Sequence, residues 1–229
     1  MRPEDSAGGD AGDAGWSSLH DGVQPSPVVR GWLKMVRVLA SGPVLRIPPD
    51  VLSAAGVLML AGAWVAVAGP GWPALAVPLV LAAGLLDGLD GAVALRTGKA
   101  RPLGAVIDSV ADRLGDLFLG AVLWALGAPP AWVWASLTLV MLLEYVRARA
   151  QAVGMPGVGA VTVAERPTRL IVVIVAAGGA SVVPAGVPLL GWGWGVTSAV
   201  TWTVVGVVGM GQLLRGVRRS MPPEFPQAR

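Results

Sequence analysis

The chain has 229 residues, of which 54% are hydrophobic and 14% are charged. Soluble domains carry about a quarter of charged residues, and the mean hydropathy here is +0.67. This composition excludes an ordinary soluble domain and indicates an integral membrane protein. The chain contains no cysteine, which excludes a disulfide framework and thiolate metal sites.

The N-terminal 47 residues divide into two segments. Residues 1–27 are rich in Gly, Ala, Asp and Ser and lack the pattern of a signal peptide, so we predict a disordered tail. The single histidine, His20, lies in this tail, where a solvated side chain is a simpler interpretation than a catalytic one. Residues 28–47 have basic and apolar sides at helical spacing, which predicts an amphipathic helix at the cytoplasmic interface. The alternative is a basic leader without a structural role.

Six apolar stretches are long enough to cross a bilayer, which takes about 20 residues per helix. They cover residues 51–69, 74–96, 104–127, 130–150, 167–184 and 192–214. Asp50, which follows two prolines, is predicted to cap the first of them. The fold class predicted is therefore an all-α integral membrane protein with six transmembrane helices after an interfacial helix. Its main domain would cover residues 48–219, followed by a tail over 220–229.

The basic residues lie in alternate connections of this topology. They precede the first stretch, follow the sixth, and occupy the second-to-third and fourth-to-fifth connections, whereas residues 70–73, 128–130 and 183–191 carry no charge. By the positive-inside rule, both termini are predicted in the cytoplasm. The sequence pI of about 10.2 is then explained by topology and contact with anionic lipid, and no nucleic-acid partner is expected.

Four aspartates lie within otherwise apolar sequence. Asp87 and Asp90 are three residues apart and Asp108 and Asp112 four apart, so each pair shares a helix face. A short hairpin over residues 97–102 would set the two faces opposite each other, and four close carboxylates are usually compensated by a divalent cation. Oxygen ligands without His or Cys favour Mg²⁺, Mn²⁺ or Ca²⁺ over zinc. The alternative is a solvated helix start over Asp108, Asp112 and Asp116.

The aspartates belong to a longer pattern. Asp87-x-x-Asp90-Gly91-x-x-Ala94, then Gly104-x-x-x-Asp108-x-x-x-Asp112, resembles the signature of the CDP-alcohol phosphatidyltransferases. That signature has an arginine where this chain has Leu95, and Arg96 points about 100° away around the helix. Pro49-Asp50-Val51-Leu52-Ser53 is similar to the family's Pro-Asn-x-x-Thr opening of the first helix. The resemblance covers residues 28 to 182.

The resemblance implies an enzyme that transfers a phosphatidyl group from CDP-diacylglycerol to a small polar alcohol and releases CMP, aided by two Mg²⁺ or Mn²⁺ ions. It implies that Asp87, Asp90 and Asp108 are metal ligands, and that Asp112 is both ligand and general base. The implied CDP-lipid-binding residues are Asp50, Ser53, Gly91, Ala94, Arg96, Arg101 and Gly104. Homodimers in the membrane are usual in this family.

The acceptor is indicated by two stretches, residues 144–150 and 165–169, that resemble actinobacterial phosphatidylinositol-phosphate synthases. Guanidinium groups suit phosphate dianions, so Arg149, Arg166 and Arg169 are candidates to bind the acceptor phosphate. The competing explanation is the positive-inside rule. The Lys-x-Lys-Thr element of phosphatidylglycerophosphate synthases is absent from this loop, which favours inositol phosphate over glycerol 3-phosphate.

Two other functions fit part of the pattern. A divalent-cation transporter also needs intramembrane carboxylates, but its acids would be spread across the bilayer depth, and here those of the second and third stretches cluster at the cytoplasmic end. A lapsed enzyme acting as a scaffold is permitted by Leu95 and opposed by the four aspartates.

The tryptophans and glycines complete the pattern. Most of the ten tryptophans, with Trp202 among them, are predicted to be interfacial anchors. Gly206 and Gly211 would permit close helix packing.

Overall fold

The protein is described by a computed structural model at residues 34–36, 38–188 and 190–221. Across those ranges the regular secondary structure is helical, without strands. The predicted tail 1–27, His20, and residues 222–229 of the predicted C-terminal tail lie outside the described residues. A 3-10 helix, Gly42–Arg46, precedes six long helices: α1 (Pro49–Ala68), α2 (Pro73–Arg96), α3 (Pro102–Ala125), α4 (Pro130–Ala152), α5 (Arg166–Val182) and α6 (Trp194–Ser220).

The six helices coincide with the six predicted apolar stretches to within a few residues at most ends. Among the described residues, α1, α2, α4 and α6 are long and apolar enough to cross a membrane. The other two differ for simple reasons, because α5 has 17 residues and α3 carries Asp108, Asp112, Arg113 and Asp116. The fold is thus that of an all-helical membrane protein.

Prolines mark the starts of helices α1 to α5. A proline at the first helical position costs nothing, because its missing N–H would have no partner there. The prediction that Asp50 caps α1 is wrong, since Pro48 is the capping residue and no side chain caps the helix. Asp50 lies in the first turn, and its carboxylate forms an ion pair with Arg101.

The connection between α2 and α3 is a tight helix-ending motif. Gly98 has a φ of 65°, a left-handed conformation that glycine adopts without strain. The Lys99 N–H donates to the Ala94 carbonyl at 2.9 Å and the Gly98 N–H to Leu95 at 3.4 Å, the two bonds of a Schellman motif. This motif returns the chain so that the start of α3 lies beside the end of α2.

The main core lies between the helices and includes Leu60, Val80, Leu119 and Val173. It also includes Trp202, which is 1% exposed, so the anchor role predicted for this tryptophan is wrong. Trp202 is the ninth of the 27 residues of α6, and the neighbouring helices cover it. Trp72 and Trp134, by contrast, are exposed near helix starts, as anchors would be.

The small residues of α6 serve packing within the chain. A Cβ at Gly206 would lie 3.1 Å from the Leu139 side chain of α4, and one at Gly209 would lie 2.6 Å from Ala164. Both glycines therefore let α6 approach its own neighbours. A Cβ at Gly211 would meet nothing within 4 Å.

The end of the juxtamembrane segment packs on the helical bundle. The backbone is helical at 34–36 and 38–39, and Val36 and Ala40 are buried in a cluster with Leu52, Leu89 and Val93. The Arg96 guanidinium donates a hydrogen bond to the Ala40 carbonyl. In the described part of this segment, the apolar side is covered by α1 and α2.

A pair of variants tests the close packing of α6 against the rest of the chain. Gly216→Ala places a Cβ against the Gly159 carbonyl oxygen and the Ala160 side chain, so we expect overpacking to cost about 1–3 kcal/mol and to lower the Tm in detergent. Gly211→Ala is the matched control, and its better helix propensity is worth up to about 1 kcal/mol. Equal Tm values for the two variants would contradict the close contact.

Candidate active site

Three of the four predicted ligands meet at one place. Asp87 of α2 and Asp108 and Asp112 of α3 each offer a carboxylate oxygen, and the three atoms lie within 4.8 Å of one another. The tight hairpin accounts for this geometry, since it sets the C-terminal turns of α2 against the N-terminal turns of α3. The predicted opposition of the two helix faces is therefore present.

The fourth aspartate, Asp90, has a different environment. It is 5% exposed, and its Oδ2 accepts a hydrogen bond of 2.5 Å from the Ser53 hydroxyl. Its Oδ1 accepts one of 2.6 Å from the Gly91 N–H. Ser53 thus ties α1 to α2 beside the carboxylate cluster, and Asp90 lies one turn from Asp87 on the same helix.

Arg166, at the start of α5, bridges the cluster. Its Nε lies 3.0 Å from Asp87 Oδ1, its Nη1 lies 2.6 Å from Asp112 Oδ1, and Nη1 also donates to the Asp112 carbonyl at 3.1 Å. Gly115 leaves space for this side chain, since a Cβ there would be 3.3 Å from Nη2. Sequence reasoning assigned Arg166 to the acceptor and did not find its contact with the aspartates.

The other two candidate arginines have separate surroundings. Arg149 is exposed near the C-terminal end of α4. Arg169 is 2% exposed, and its guanidinium contacts Asp116 at 2.5 Å and Glu144 at 3.4 Å. Sequence reasoning considered Asp116 only as part of a helix start. The signal that could have found it was an acid continuing the four-residue spacing into apolar sequence.

Arg147 organises the loop between α4 and α5. It contacts Glu144 at 3.4 Å and Glu165 at 2.8 Å, and Glu165 also accepts hydrogen bonds from the N–H and hydroxyl of Thr162. Burial by itself raises the pKa of Glu165, but Arg147 and the Thr162 bonds outweigh it and hold the pKa below its usual value. The carboxylate is therefore ionised at neutral pH and fixes the start of α5.

Two of the predicted CDP-lipid-binding residues, Asp50 and Arg101, line a cavity of about 420 Å³ between the start of α1 and the α2–α3 hairpin, formed by residues 48–50 and 98–101. Asp50 and Arg101 form an ion pair at its wall. A Cβ at Gly104 would be 3.3 Å from the Arg101 side chain, so the absence of a side chain at Gly104 leaves room for the Arg101 side chain. Gly91 faces open space, because a Cβ at this position would have no neighbouring atom within 4 Å.

The end of α2 shows where the signature arginine is missing. Leu95 is 72% exposed, and Arg96 beside it donates to the Ala40 carbonyl. Ala94 is partly buried on the same turn. Lys99 and Arg101, across the hairpin, are cations that line the cavity.

The carboxylate cluster suits a hard divalent cation. Its donors are oxygens on two rigid helices, and three of them are close enough to share one ion. Such donor sets bind Mg²⁺, Mn²⁺ or Ca²⁺ in preference to softer metals. The predicted chemistry of the site is therefore compatible with the residues that the fold brings together.

Fold and signature define the class of protein. The sequence profile of the CDP-alcohol phosphatidyltransferases matches residues 46–209, so this chain belongs to that family. The match includes both aspartate pairs and the arginines at the start of α5.

Solved structures have the same fold. Phosphatidylinositol phosphate synthase of Mycobacterium tuberculosis with CDP-DAG bound is 25% identical, with a TM-score of 0.65 over 86% of this chain and 100% of that chain. The same enzyme in complex with manganese and citrate is 27% identical, with a TM-score of 0.67 over 84% of this chain and 93% of that one.

Curated relatives match a shorter stretch. The phosphatidylinositol phosphate synthase of Mycolicibacterium smegmatis is 42% identical over 101 residues, 41% of this chain and 45% of that protein. The archaetidylinositol phosphate synthase of Aeropyrum pernix is 33% identical over 111 residues, 46% of this chain and 57% of that protein. The match thus spans about half the length of these relatives.

Metal binding by the cluster can be measured without turnover. Asp108→Asn removes one of the three convergent carboxylates, and we expect the Kd for Mn²⁺, measured by electron paramagnetic resonance, to rise by at least about tenfold. Asp50→Asn removes the same charge outside the cluster and is expected to leave the Kd unchanged. A similar loss in both variants would mean that local charge alone, and not ligation, attracts the ion.

Proposed function

We propose that this protein transfers a phosphatidyl group from CDP-diacylglycerol to a phosphorylated polyol such as inositol phosphate, releasing CMP in phospholipid biosynthesis. The observation that carries the proposal is the convergence of Asp87, Asp108 and Asp112 within 4.8 Å, at the positions of the family signature. Its relatives are named as phosphatidylinositol phosphate and archaetidylinositol phosphate synthases, which supports an inositol phosphate acceptor.

The metal in this proposal is Mg²⁺ or Mn²⁺, two ions per site. Asp87, Asp108 and Asp112 would hold them, with Asp90 as the fourth carboxylate. When bound, the ions supply Lewis-acid stabilisation of charge on the diphosphate. The solved M. tuberculosis relative in complex with manganese supports a divalent cation here.

The donor would lie between the carboxylates and the hairpin cavity. Gly91 lets a nucleotide approach the α2 backbone, since no side chain obstructs the helix there. Around the cavity and the adjoining turns of α1 to α3, the proposed donor contacts are Asp50, Ser53, Ala94, Arg96, Arg101 and Gly104. The M. tuberculosis relative was solved with CDP-DAG bound, which supports this class of donor.

Asp112 is the proposed general base. The acceptor hydroxyl gives its proton to the Asp112 carboxylate as its oxygen bonds to the lipid-proximal phosphorus, and the bond from that phosphorus to the CMP oxygen breaks. Asp112 is suited to this role because its carboxylate belongs to the cluster and also contacts Arg166. A base must lie within hydrogen-bond reach of the proton it removes.

The acceptor phosphate is proposed to bind on the α5 side of Asp112. Arg166 borders the base at 2.6 Å, and Arg149 is an exposed guanidinium near the end of α4. Guanidinium groups bind phosphate with paired hydrogen bonds. Arg169 is buried between carboxylates, so the acceptor proposal rests on Arg149 and Arg166, and Arg169 lies one helical turn further along α5.

The setting proposed is a multi-pass protein of the cell membrane with six spans, both termini in the cytoplasm, and the site facing the cytoplasm. The basic residues beside the site, such as Lys99 and Arg101, support this orientation. A homodimer is also proposed, because members of this family usually form homodimers.

Release of CMP tests the function directly. Purified protein is given CDP-diacylglycerol and Mg²⁺ or Mn²⁺, in parallel with inositol phosphate, glycerol 3-phosphate and free inositol. We expect metal-dependent CMP release with inositol phosphate. CMP release with glycerol 3-phosphate alone would mean that glycerol 3-phosphate, and not inositol phosphate, is the acceptor. No CMP release with any acceptor would overturn the proposed transfer.

Asp112→Asn tests the base. The amide keeps the shape of the side chain but takes no proton, so we expect kcat to fall by about 10²- to 10⁴-fold with an unchanged elution volume in detergent. Ser109→Ala, on an exposed turn of the same helix, is the matched control and is expected to retain full activity. Turnover by Asp112→Asn at the wild-type rate would exclude Asp112 as the base.

A further inference from the structure

Four charged side chains form a closed ring inside the helical bundle. Arg113 and Asp116 come from α3, Glu144 from α4 and Arg169 from α5. The ring holds two positive and two negative charges, so it is neutral as a unit. It lies next to the carboxylate cluster but contains none of the predicted metal ligands.

The geometry alternates around the ring. Asp116 Oδ2 lies 2.5 Å from Arg169 Nη1 and 3.2 Å from Arg113 Nε. Glu144 Oε1 lies 3.3 Å from Arg113 Nη1 and 3.4 Å from Arg169 Nη2. Each carboxylate therefore contacts both arginines, and each arginine contacts both carboxylates.

Burial couples Asp116 and Arg169 most strongly, since the side chains of Arg113 and Glu144 are 23% and 29% exposed. The Asp116 side chain is 0% exposed and that of Arg169 is 3% exposed. Removing one member of a buried ion pair leaves an uncompensated charge, whereas apolar residues of similar volume often stabilise a fold equally well. Stability alone therefore does not require an ionic ring at this position.

The ring connects the two halves of the site. Arg113 Nη2 lies 3.6 Å from Asp112 Oδ2, on the side of the proposed base. Arg169 is one helical turn after Arg166, on the side of the acceptor. Glu144 Oε2 contacts Arg147 at 3.4 Å, and Arg147 contacts Glu165 at 2.8 Å, which extends the chain of contacts into the α4–α5 loop.

We propose that this ring is a positioning device, in which Arg113, Asp116, Glu144 and Arg169 hold the start of α5 against α3 and α4 and so help to set the separation between the Asp112 carboxylate and the Arg166 guanidinium. The inference rests on the proposed function, because that separation decides whether an acceptor held by its phosphate presents its hydroxyl to the base. The rigid forks of Arg113 and Arg169 each span two carboxylates, a geometry that a single ammonium group cannot reproduce. Misplacing a reacting group by about 1 Å can cost up to about 100-fold in rate.

The test separates position from stability. Asp116→Asn and Arg169→Gln each unbalance the ring, and the double variant restores neutrality. We expect each single variant to lower the Tm in detergent and the double variant to recover it. With CDP-diacylglycerol and inositol phosphate as substrates, we expect kcat/KM for inositol phosphate to stay about 10- to 100-fold low in the double variant, while KM for CDP-diacylglycerol is unchanged.

Two further variants sharpen the result. Arg169→Lys keeps the charge but loses the fork, so kcat/KM for inositol phosphate is expected to remain low even where the Tm is close to that of the wild type. Arg46→Gln, which removes an exposed arginine of the 3-10 helix, is the matched control and is expected to behave as the wild type.

The outcomes that overturn the proposal are distinct. A double variant that recovers both the Tm and the kcat/KM for inositol phosphate would reduce the ring to a structural role. Equal losses for donor and acceptor would contradict its link to the acceptor side. If the wild-type protein releases no CMP with any acceptor, the proposed function fails, and the positioning role fails with it.

Discussion

Charge compensation inside a helical membrane bundle is the constraint on which this structure depends. A buried charge without a partner is costly, so acids between packed helices must be matched by cations of the protein or by bound metal. Here Arg166 contacts Asp87 and Asp112, and Arg169 contacts Asp116. The carboxylates of α2 and α3 thereby determine where the start of α5 must lie.

Packing serves this electrostatic arrangement. The tight turn after α2 sets Asp87 against Asp108 and Asp112. Gly115, whose Cβ would be 2.9 Å from Leu60 and 3.3 Å from Arg166, lets both neighbours approach α3. A larger residue there would displace the guanidinium from the aspartates. Gly115 lies within a helix and not in a turn, so its role in the site is to leave space for its neighbours.

Membership of the CDP-alcohol phosphatidyltransferases leaves room for departures specific to this chain. The signature arginine is replaced by Leu95, which is exposed, and the adjacent Arg96 contacts the juxtamembrane segment. At the opening of α1, Asp50 takes the place of an asparagine and pairs with Arg101. This acid and Arg101 both line the cavity between the start of α1 and the α2–α3 hairpin.

The sequence by itself determined the six helices, their approximate ends, the hairpin and the family, because apolar length, proline punctuation and the spacing of aspartates are local properties of the chain. It also predicted that the pair Asp87 and Asp90 would face the pair Asp108 and Asp112, since helical periodicity and a short turn suffice for that, and three of these four carboxylates converge in the structure. It did not predict the burial of Trp202, the Arg166 bridge or the ring of Arg113, Asp116, Glu144 and Arg169. Those depend on which faces of α3, α4, α5 and α6 meet, and side chains from helices distant in sequence acquire partners only when the bundle is packed.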